Sequence, residues 1–289
     1  DADQREIREA VYIGAGVDST WSTADDVLSW YQDVTYDGAG TDDWTAIRYN
    51  DPGTDTTWFT GDDEVSRYEV RATDPTERTQ VLYTGAGDDA TWFTTDDKVH
   101  SWESILYDAQ GRVTYQGSAP NPGPDEVWGT QDDGFWSVTH HLYDVDGVLI
   151  REDKYDDEGA DGLWRTGDDV LDQYTTHAYD ALGLVTTSVD YRDPGVDTAW
   201  HTGDDEVYNY IGMTYEAHGS RDRRTYFGTA GTDEIWFTAD DYPFYNQQYT
   251  YDALGNRIDF NAYIGEGADH TWYTADDSPG AIWEYDTTR

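Results

Sequence analysis

The chain has 289 residues, 61 Asp and Glu against 17 Lys and Arg, no Cys and a formal charge of −44. That balance argues against nucleic acid as a partner, which needs a basic stripe, and no apolar run of ~20 residues is available for insertion into a membrane. Without Cys there are neither disulfides nor thiolate metal sites, and 13 Trp with 24 Tyr are too many aromatic residues for an unfolded acidic tail.

Taken in chain order, Asp1-Ala2-Asp3 carries no basic and apolar secretion signal, which reads as a mature or excised segment. The first acidic motif follows: Gly16, Asp18, Trp21, Thr23 and the pair Asp25-Asp26. It returns around Trp58, Trp92, Trp128, Trp164, Trp200, Trp236 and Trp272, at intervals of 37, 34 and then five times 36 residues. All eight copies agree at all six positions, so the chain is an internal repeat. In the second and third units the pattern is irregular, with Gly38 to Trp44 reading as a partial extra loop and Asp74-Pro75 standing where a reverse turn belongs. From there a second mark lies midway between acidic motifs: Tyr107-Asp108-x-x-Gly111, Tyr143-Asp144-x-x-Gly147, Tyr179-Asp180-x-x-Gly183, the variant Tyr215-Glu216-x-x-Gly219, and Tyr251-Asp252-x-x-Gly255. Asp and Gly at this spacing make a turn.

Between the marks lie strand-like runs such as Val99 to Leu106, Phe135 to Leu142 and Leu184 to Val189. Nine residues before the motif Trp an aromatic recurs at Tyr12, Tyr49, Tyr83, Tyr155, Tyr191, Phe227 and Tyr263, with Ala119 the exception, which predicts an aromatic ladder. Each unit therefore reads as strand, Tyr-Asp turn, strand, acidic loop. The expected fold is all-β, an elongated tandem β-hairpin strip or solenoid of eight units over residues 1–289. The chain opens and closes inside Tyr-Asp turns, at Asp1 to Arg5 and Tyr285 to Arg289, so the strand around Ile282 to Tyr285 is expected to pair with that around Arg5 to Tyr12 of another molecule, giving filaments, or of the same longer chain before excision, the alternative being an arbitrary fragment cut after an arginine.

On these motifs the chain resembles the YD-repeat or RHS-repeat proteins, in which Tyr-Asp-x-x-Gly turns recur through long extracellular β strips. The resemblance to calcium-loop versions of such repeats rests on the acidic motif, as in Gly123 to Asp133. It implies an extracellular or cell-surface setting. Toxin-delivery members of the family resemble large closed shells, whose length and trailing region are not seen here.

Calcium takes six to eight oxygen ligands in a flexible geometry, which an Asp, a bend and an Asp pair can supply with carbonyls and water. The candidate metal ligands are Asp18, Asp25 and Asp26 in the first loop, then Asp55, Asp62 and Asp63, then Asp89, Asp96 and Asp97, then Asp125, Asp132 and Asp133. The later loops supply Asp161, Asp168 and Asp169, Asp197, Asp204 and Asp205, Asp233, Asp240 and Asp241, and Asp269, Asp276 and Asp277. Asp in turns also caps backbone amides, but crowded carboxylates in eight loops oppose folding unless a cation intervenes. A halophile's acidity would spread over strand faces, whereas 24 of 61 acidic residues sit at fixed motif positions. Backbone carbonyls near Trp128 and Thr130 would complete the fourth site, with Gly123 permitting the turn. The motif Trp is expected to pack its loop on the sheet, with sugar stacking the alternative. The seven His have no recurrent spacing and read as ordinary strand or surface residues. No nucleophile, phosphate or dinucleotide motif appears, and eightfold repetition suits structure better than catalysis. The function expected is a non-enzymatic, calcium-stabilised segment of a secreted or cell-surface fibre, stalk or adhesin. The alternatives are a wall fragment of a YD-repeat shell and a glycan-binding surface.

Overall fold

The computed structural model describes residues 5, 7–23, 25–38, 42–217, 219–252, 254–269, 271–274 and 276–284. The turns expected at residues 1–4 and 285–289 lie outside them, as do residues 39–41 of the partial extra loop, His218 and His270. The strands are β1 (Arg8–Gly14), β2 (Val27–Tyr36), β3 (Trp44–Asp51), β4 (Glu64–Thr73), β5 (Glu77–Gly85), β6 (Lys98–Tyr107), β7 (Val113–Ala119) and β8 (Val138–Tyr143). They continue with β9 (Leu149–Asp157), β10 (Val170–Tyr179), β11 (Val185–Asp193), β12 (Glu206–Tyr215), β13 (Arg221–Thr229), β14 (Tyr242–Tyr251), β15 (Arg257–Gly265) and β16 (Ser278–Glu284). They run in sheet order β1 to β16, antiparallel throughout the pairs described, with no helix among the described residues. The chain is an all-β tandem hairpin array.

By contact the chain divides into two compact units, residues 1–140 with 156–170 and residues 141–155 with 171–289. In the first, the register sets Tyr31 opposite Tyr49, Tyr68 opposite Tyr83, and Trp102 opposite Ala119. In the second, Tyr174 faces Tyr191, Tyr210 faces Phe227 and Asn246 faces Tyr263. Side chains alternate across a strand, so these pairs share one face of their hairpin. The rings stack at 4.3–4.6 Å, nearly parallel, in Tyr31–Tyr49, Tyr68–Tyr83, Tyr174–Tyr191 and Tyr210–Phe227. The expected ladder is thus a series of two-ring steps.

A bare sheet face cannot bury these rings, and the acidic loops supply the second layer. In four units the loop folds back over the hairpin before it: Trp58 meets Tyr31 edge-on at 6.0 Å, Trp92 meets Tyr68 at 5.9 Å, Trp200 meets Tyr174 and Trp236 meets Tyr210, both at 5.9 Å. Phe59, Phe93, His201 and Phe237, next along, tilt or turn edge-on to the same tyrosines. Opposite the loops, the Tyr-Asp turns close as expected. Asp108 donates N–H to Arg112 O at 2.9 Å, Gly111 N donates to Asp108 O at 2.9 Å with φ +76°, and Asp108 Oδ1 accepts from Gln110 N and Arg112 N. Asp74 does the same work before Pro75, accepting from Thr76 N and Glu77 N. The strand expected from Phe135 begins only at Val138, because Phe135 turns into the core against Trp164 while Trp136 stays exposed.

Candidate cation loops

Each acidic loop is built by three carboxylates with distinct tasks. The Asp three before Trp caps the turn, as Asp197 Oδ1 does for Ala199 N at 2.8 Å. The Asp four after Trp reaches back, as Asp204 Oδ2 does to Val196 N and Asp197 N at 2.8 and 3.1 Å. In six of the loops the last Asp is buried beneath the loop: Asp205 Oδ2 accepts from His201 N, Thr202 N and the Tyr174 hydroxyl at 2.7, 3.3 and 2.5 Å.

One oxygen of each carboxylate turns inward, toward the motif Thr, that of the first Asp being the same Oδ1 that caps the turn. Around Thr202 Oγ1 lie Asp197 Oδ1 at 3.5 Å, Ala199 O at 3.1 Å, Asp204 Oδ1 at 2.8 Å and Asp205 Oδ1 at 3.1 Å. The same four-oxygen collar surrounds Thr23 and Thr166. A hydroxyl has one proton, so it donates to one of these oxygens; Asp197 Oδ1 also accepts from Ala199 N, while the loop amides that reach Asp204 and Asp205 go to their Oδ2 atoms. In the seventh loop the deficit is explicit. Asp241 is 5% exposed and its buried Oδ1 has no hydrogen-bond partner.

The loop backbone is strained to make the collar. Gly195 has φ +70°, and non-glycine residues follow it into the left-handed region, Thr198 at +59° and His201 at +66°. Equivalent pairs are Thr56 with Phe59 and Glu234 with Phe237. Each such residue costs about 1 kcal/mol or more. A Cβ on Gly195 would run into the carbonyl of Asp204, which explains the fixed glycine.

Hydrogen bonds keep the outer carboxylates ionised. Those from Thr54 and Thr60 and from the Asp55 amide lower Asp62 to about 2, and Asp204 and Asp240 are lowered chiefly by Thr202 and Thr238. Burial opposes ionisation of Asp205, but the bonds from Tyr174 and the loop amides outweigh it and its pKa falls. Asp133, 0% exposed and without a tyrosine partner, is raised by burial.

All 24 expected ligands lie in these loops. Among the described residues no three acidic or histidine side chains form a ready-made metal cage; the inward oxygens gather on the threonine instead. The carbonyl that joins them in the fourth loop is that of Val127, on Thr130 Oγ1 at 3.1 Å. The motif Trp packs loop to sheet at Trp58, Trp92, Trp200 and Trp236, and Trp164 is 1% exposed, whereas Trp21 of the first loop is exposed.

Two constellations escaped the sequence reading. One is the tyrosine ten residues after the motif Trp, whose hydroxyl meets the next loop: Tyr31 with Asp63, Tyr68 with Asp97, Tyr174 with Asp205 and Tyr210 with Asp241, at 2.5–2.7 Å. Its signal was available at a fixed offset, though in only four copies. The other is Glu152, held between His141 Nε2 and His177 Nε2, each at 3.0 Å from one carboxylate oxygen, with His177 Nδ1 on Ser188 Oγ at 3.0 Å. The bonds to His141 and His177 lower Glu152 to about 2. Nothing in the spacing of these residues announces that they meet, because the sheet register brings them together.

No family model matches the chain, and no curated protein does. Among solved structures it is similar to a protein of unknown function from Bacteroides fragilis, at 11% identity over 55% of this chain and 94% of that one, with a TM-score of 0.36. TcdB2-TccC3-TEV matches at 11% identity over 93% of this chain and 14% of that one, TM-score 0.29. A porin-like protein from Bacteroides uniformis matches at 8% identity over 88% and 93%, TM-score 0.25. Scores this low carry no functional inference.

Proposed function

We propose that the chain is a non-enzymatic structural β-repeat segment whose acidic loops bind calcium and thereby lock the array, as part of a secreted or cell-surface fibre, stalk or adhesin. The observation that carries this reading is the collar, three carboxylate oxygens and a carbonyl around the one Thr202 proton in the sixth loop, together with the buried Asp241 Oδ1 of the seventh, which lacks any donor. A buried, unpartnered carboxylate oxygen costs several kcal/mol unless a cation meets it. An all-oxygen donor set on a flexible loop suits calcium, whereas magnesium demands a stricter octahedron and retains its water. In calcium the left-handed residues are held by ligand bonds, and without it their strain and the carboxylate repulsion loosen the layer that covers the tyrosines.

Eightfold repetition favours a mechanical role over a reaction, since a repeated site braces every unit alike. The experiment is thermal unfolding in calcium, in magnesium and in excess EDTA at low salt. Calcium should raise the melting temperature by tens of degrees over EDTA, with magnesium much less effective. A melting curve that EDTA leaves unmoved would overturn the proposal.

A further inference from the structure

We infer that Tyr31, Tyr68, Tyr174 and Tyr210 are positioning residues for the cation loop that follows each of them, so that the array holds two classes of cation site. This rests on the calcium reading of the loops. A carboxylate is planar, so fixing one oxygen fixes the direction of the other. In the sixth loop three donors converge on Asp205 Oδ2, and Oδ1 is left 3.1 Å from Thr202 Oγ1, in the collar, with no amide on it. The second and third loops repeat this. Asp63 Oδ2 and Asp97 Oδ2 take the phenol and both loop amides, and their Oδ1 atoms lie 3.3 and 3.4 Å from Thr60 and Thr94 Oγ1. In the seventh, Asp241 Oδ2 takes Tyr210 and Phe237 N, and Oδ1 is bare.

Without the tyrosine the arrangement is not uniform: in the first loop, among the described residues, Ser22 N and Thr23 N alone hold Asp26 Oδ2, and Oδ1 lies 3.4 Å from Thr23 Oγ1. At the step before the fifth loop the position is Val138, and Asp169 Oδ1 accepts from Thr166 N at 3.3 Å. Before the eighth loop it is Asn246, and Asp277 Oδ1 accepts from Gly267 N at 3.1 Å. In these two loops a backbone N–H reaches the second oxygen, although Asp169 Oδ1 still lies 3.2 Å from Thr166 Oγ1. Before the fourth loop the position is Trp102, and Asp133 Oδ1 is 3.5 Å from Thr130 Oγ1, at the edge of the collar. The phenol thus acts one atom removed from the ligand, as the outer partners of metal-bound side chains do.

The test is calorimetric titration of the full chain with calcium, native and with all four tyrosines changed to Phe, alongside melting in EDTA. The four-Phe variant should bind at four of its eight sites about tenfold more weakly. Its melting temperature should fall further in calcium than in EDTA, a difference that loss of packing alone would not produce. In the converse variant, Asn246→Tyr with Tyr273→Phe copies the Tyr210 and Phe237 pair and should tighten the eighth loop by a similar factor. Calcium uptake with unchanged affinities in both variants would overturn the positioning role alone, and no calcium uptake by the native chain would overturn the loop reading as well.

Discussion

The hydroxyl of Tyr210 on β12 lies 2.7 Å from Oδ2 of Asp241, the last residue of the loop that closes over its ring. Burial first, and then this bond, raise the tyrosine's pKa, and Tyr31, Tyr68 and Tyr174 are raised in the same way. An ultraviolet titration of the folded chain should therefore leave at least these four phenols protonated at pH 11, when exposed tyrosines have ionised, and release them on unfolding. Because the folded pKa is raised, their contribution to stability is complete below pH ~10 and declines above it. Ionisation of every tyrosine in a single step near pH 10 would contradict the buried bonds.

The two kinds of glycine should respond differently to alanine. Gly183, in a Tyr-Asp turn, has φ +79° and open space where a Cβ would stand, so Gly183→Ala should cost about 1–2 kcal/mol. Gly195→Ala meets the Asp204 backbone as well and should cost upward of ~3 kcal/mol. Hydrogen exchange within the affected hairpin measures both, and equal costs would remove the steric account of the motif glycine.

Trp102 takes the place that Tyr holds elsewhere, with Ala119 opposite and Gly129 of the covering loop against it, where a Cβ would come within 3.2 Å of the indole. Gly129→Phe alone should destabilise by ~1–3 kcal/mol through overpacking, and Trp102→Tyr in the same chain should recover part of it. Strict additivity of the two changes, seen by chemical denaturation, would mean that the pair is not coupled.

Glu152 has a folded pKa of about 2 against its ordinary 4.5, set by the bonds from His141 and His177. A depressed carboxylate stabilises above its unfolded pKa and loses that contribution as pH falls through the folded value. Glu152→Gln should thus be less stable than the native chain at pH 5, with the difference shrinking to nothing near pH 2. A difference independent of pH would mean that the charge on Glu152 is not what ties these strands.

Thr202→Val removes the proton shared by the collar. Without calcium the variant should lose ~1 kcal/mol or more, as Asp204 Oδ1 and its neighbours are left facing one another. In saturating calcium the loss should be smaller if the cation meets the same oxygens. Melting in EDTA and in calcium separates the two cases, and a larger loss in calcium would make the hydroxyl itself an indispensable ligand.

Much of the fold was legible because its signals are local. Turns at Asp108-x-x-Gly111 and loops with Gly, Asp, Thr and Asp-Asp at fixed offsets are determined within a dozen residues, and their repetition exposed them. Which atoms the side chains meet was not legible. That the last Asp of six of the eight pairs is buried under its own loop follows from the loop folding back over the preceding hairpin, a contact set by residues about 30 apart such as Tyr174 and Asp205. The same holds for Ala119, which looked like a gap in a ladder and is the small partner of Trp102. Size is traded between the position ten after one Trp and the position just after the next: Tyr68 with Phe93, Trp102 with Gly129, Asn246 with Tyr273. A search for identity at fixed positions passes over such exchanges, since neither position is constant.

Among the described residues, sheet pairing joins only strands that are neighbours in sequence. A gene encoding it can therefore gain or lose a 36-residue block by recombination without any strand needing a new partner, provided the cut respects the traded pair at the seam. A deletion that set Trp102 beneath a loop bearing Phe in place of Gly129 would clash, whereas one joining Tyr174 to the loop of Phe237 would not. The units at Tyr31, Tyr68, Tyr174 and Tyr210 are in this sense interchangeable, and those at Trp102, Val138 and Asn246 are fitted to their own successors. Length variation among related genes should accordingly fall between the first kind of unit and spare the junctions of the second.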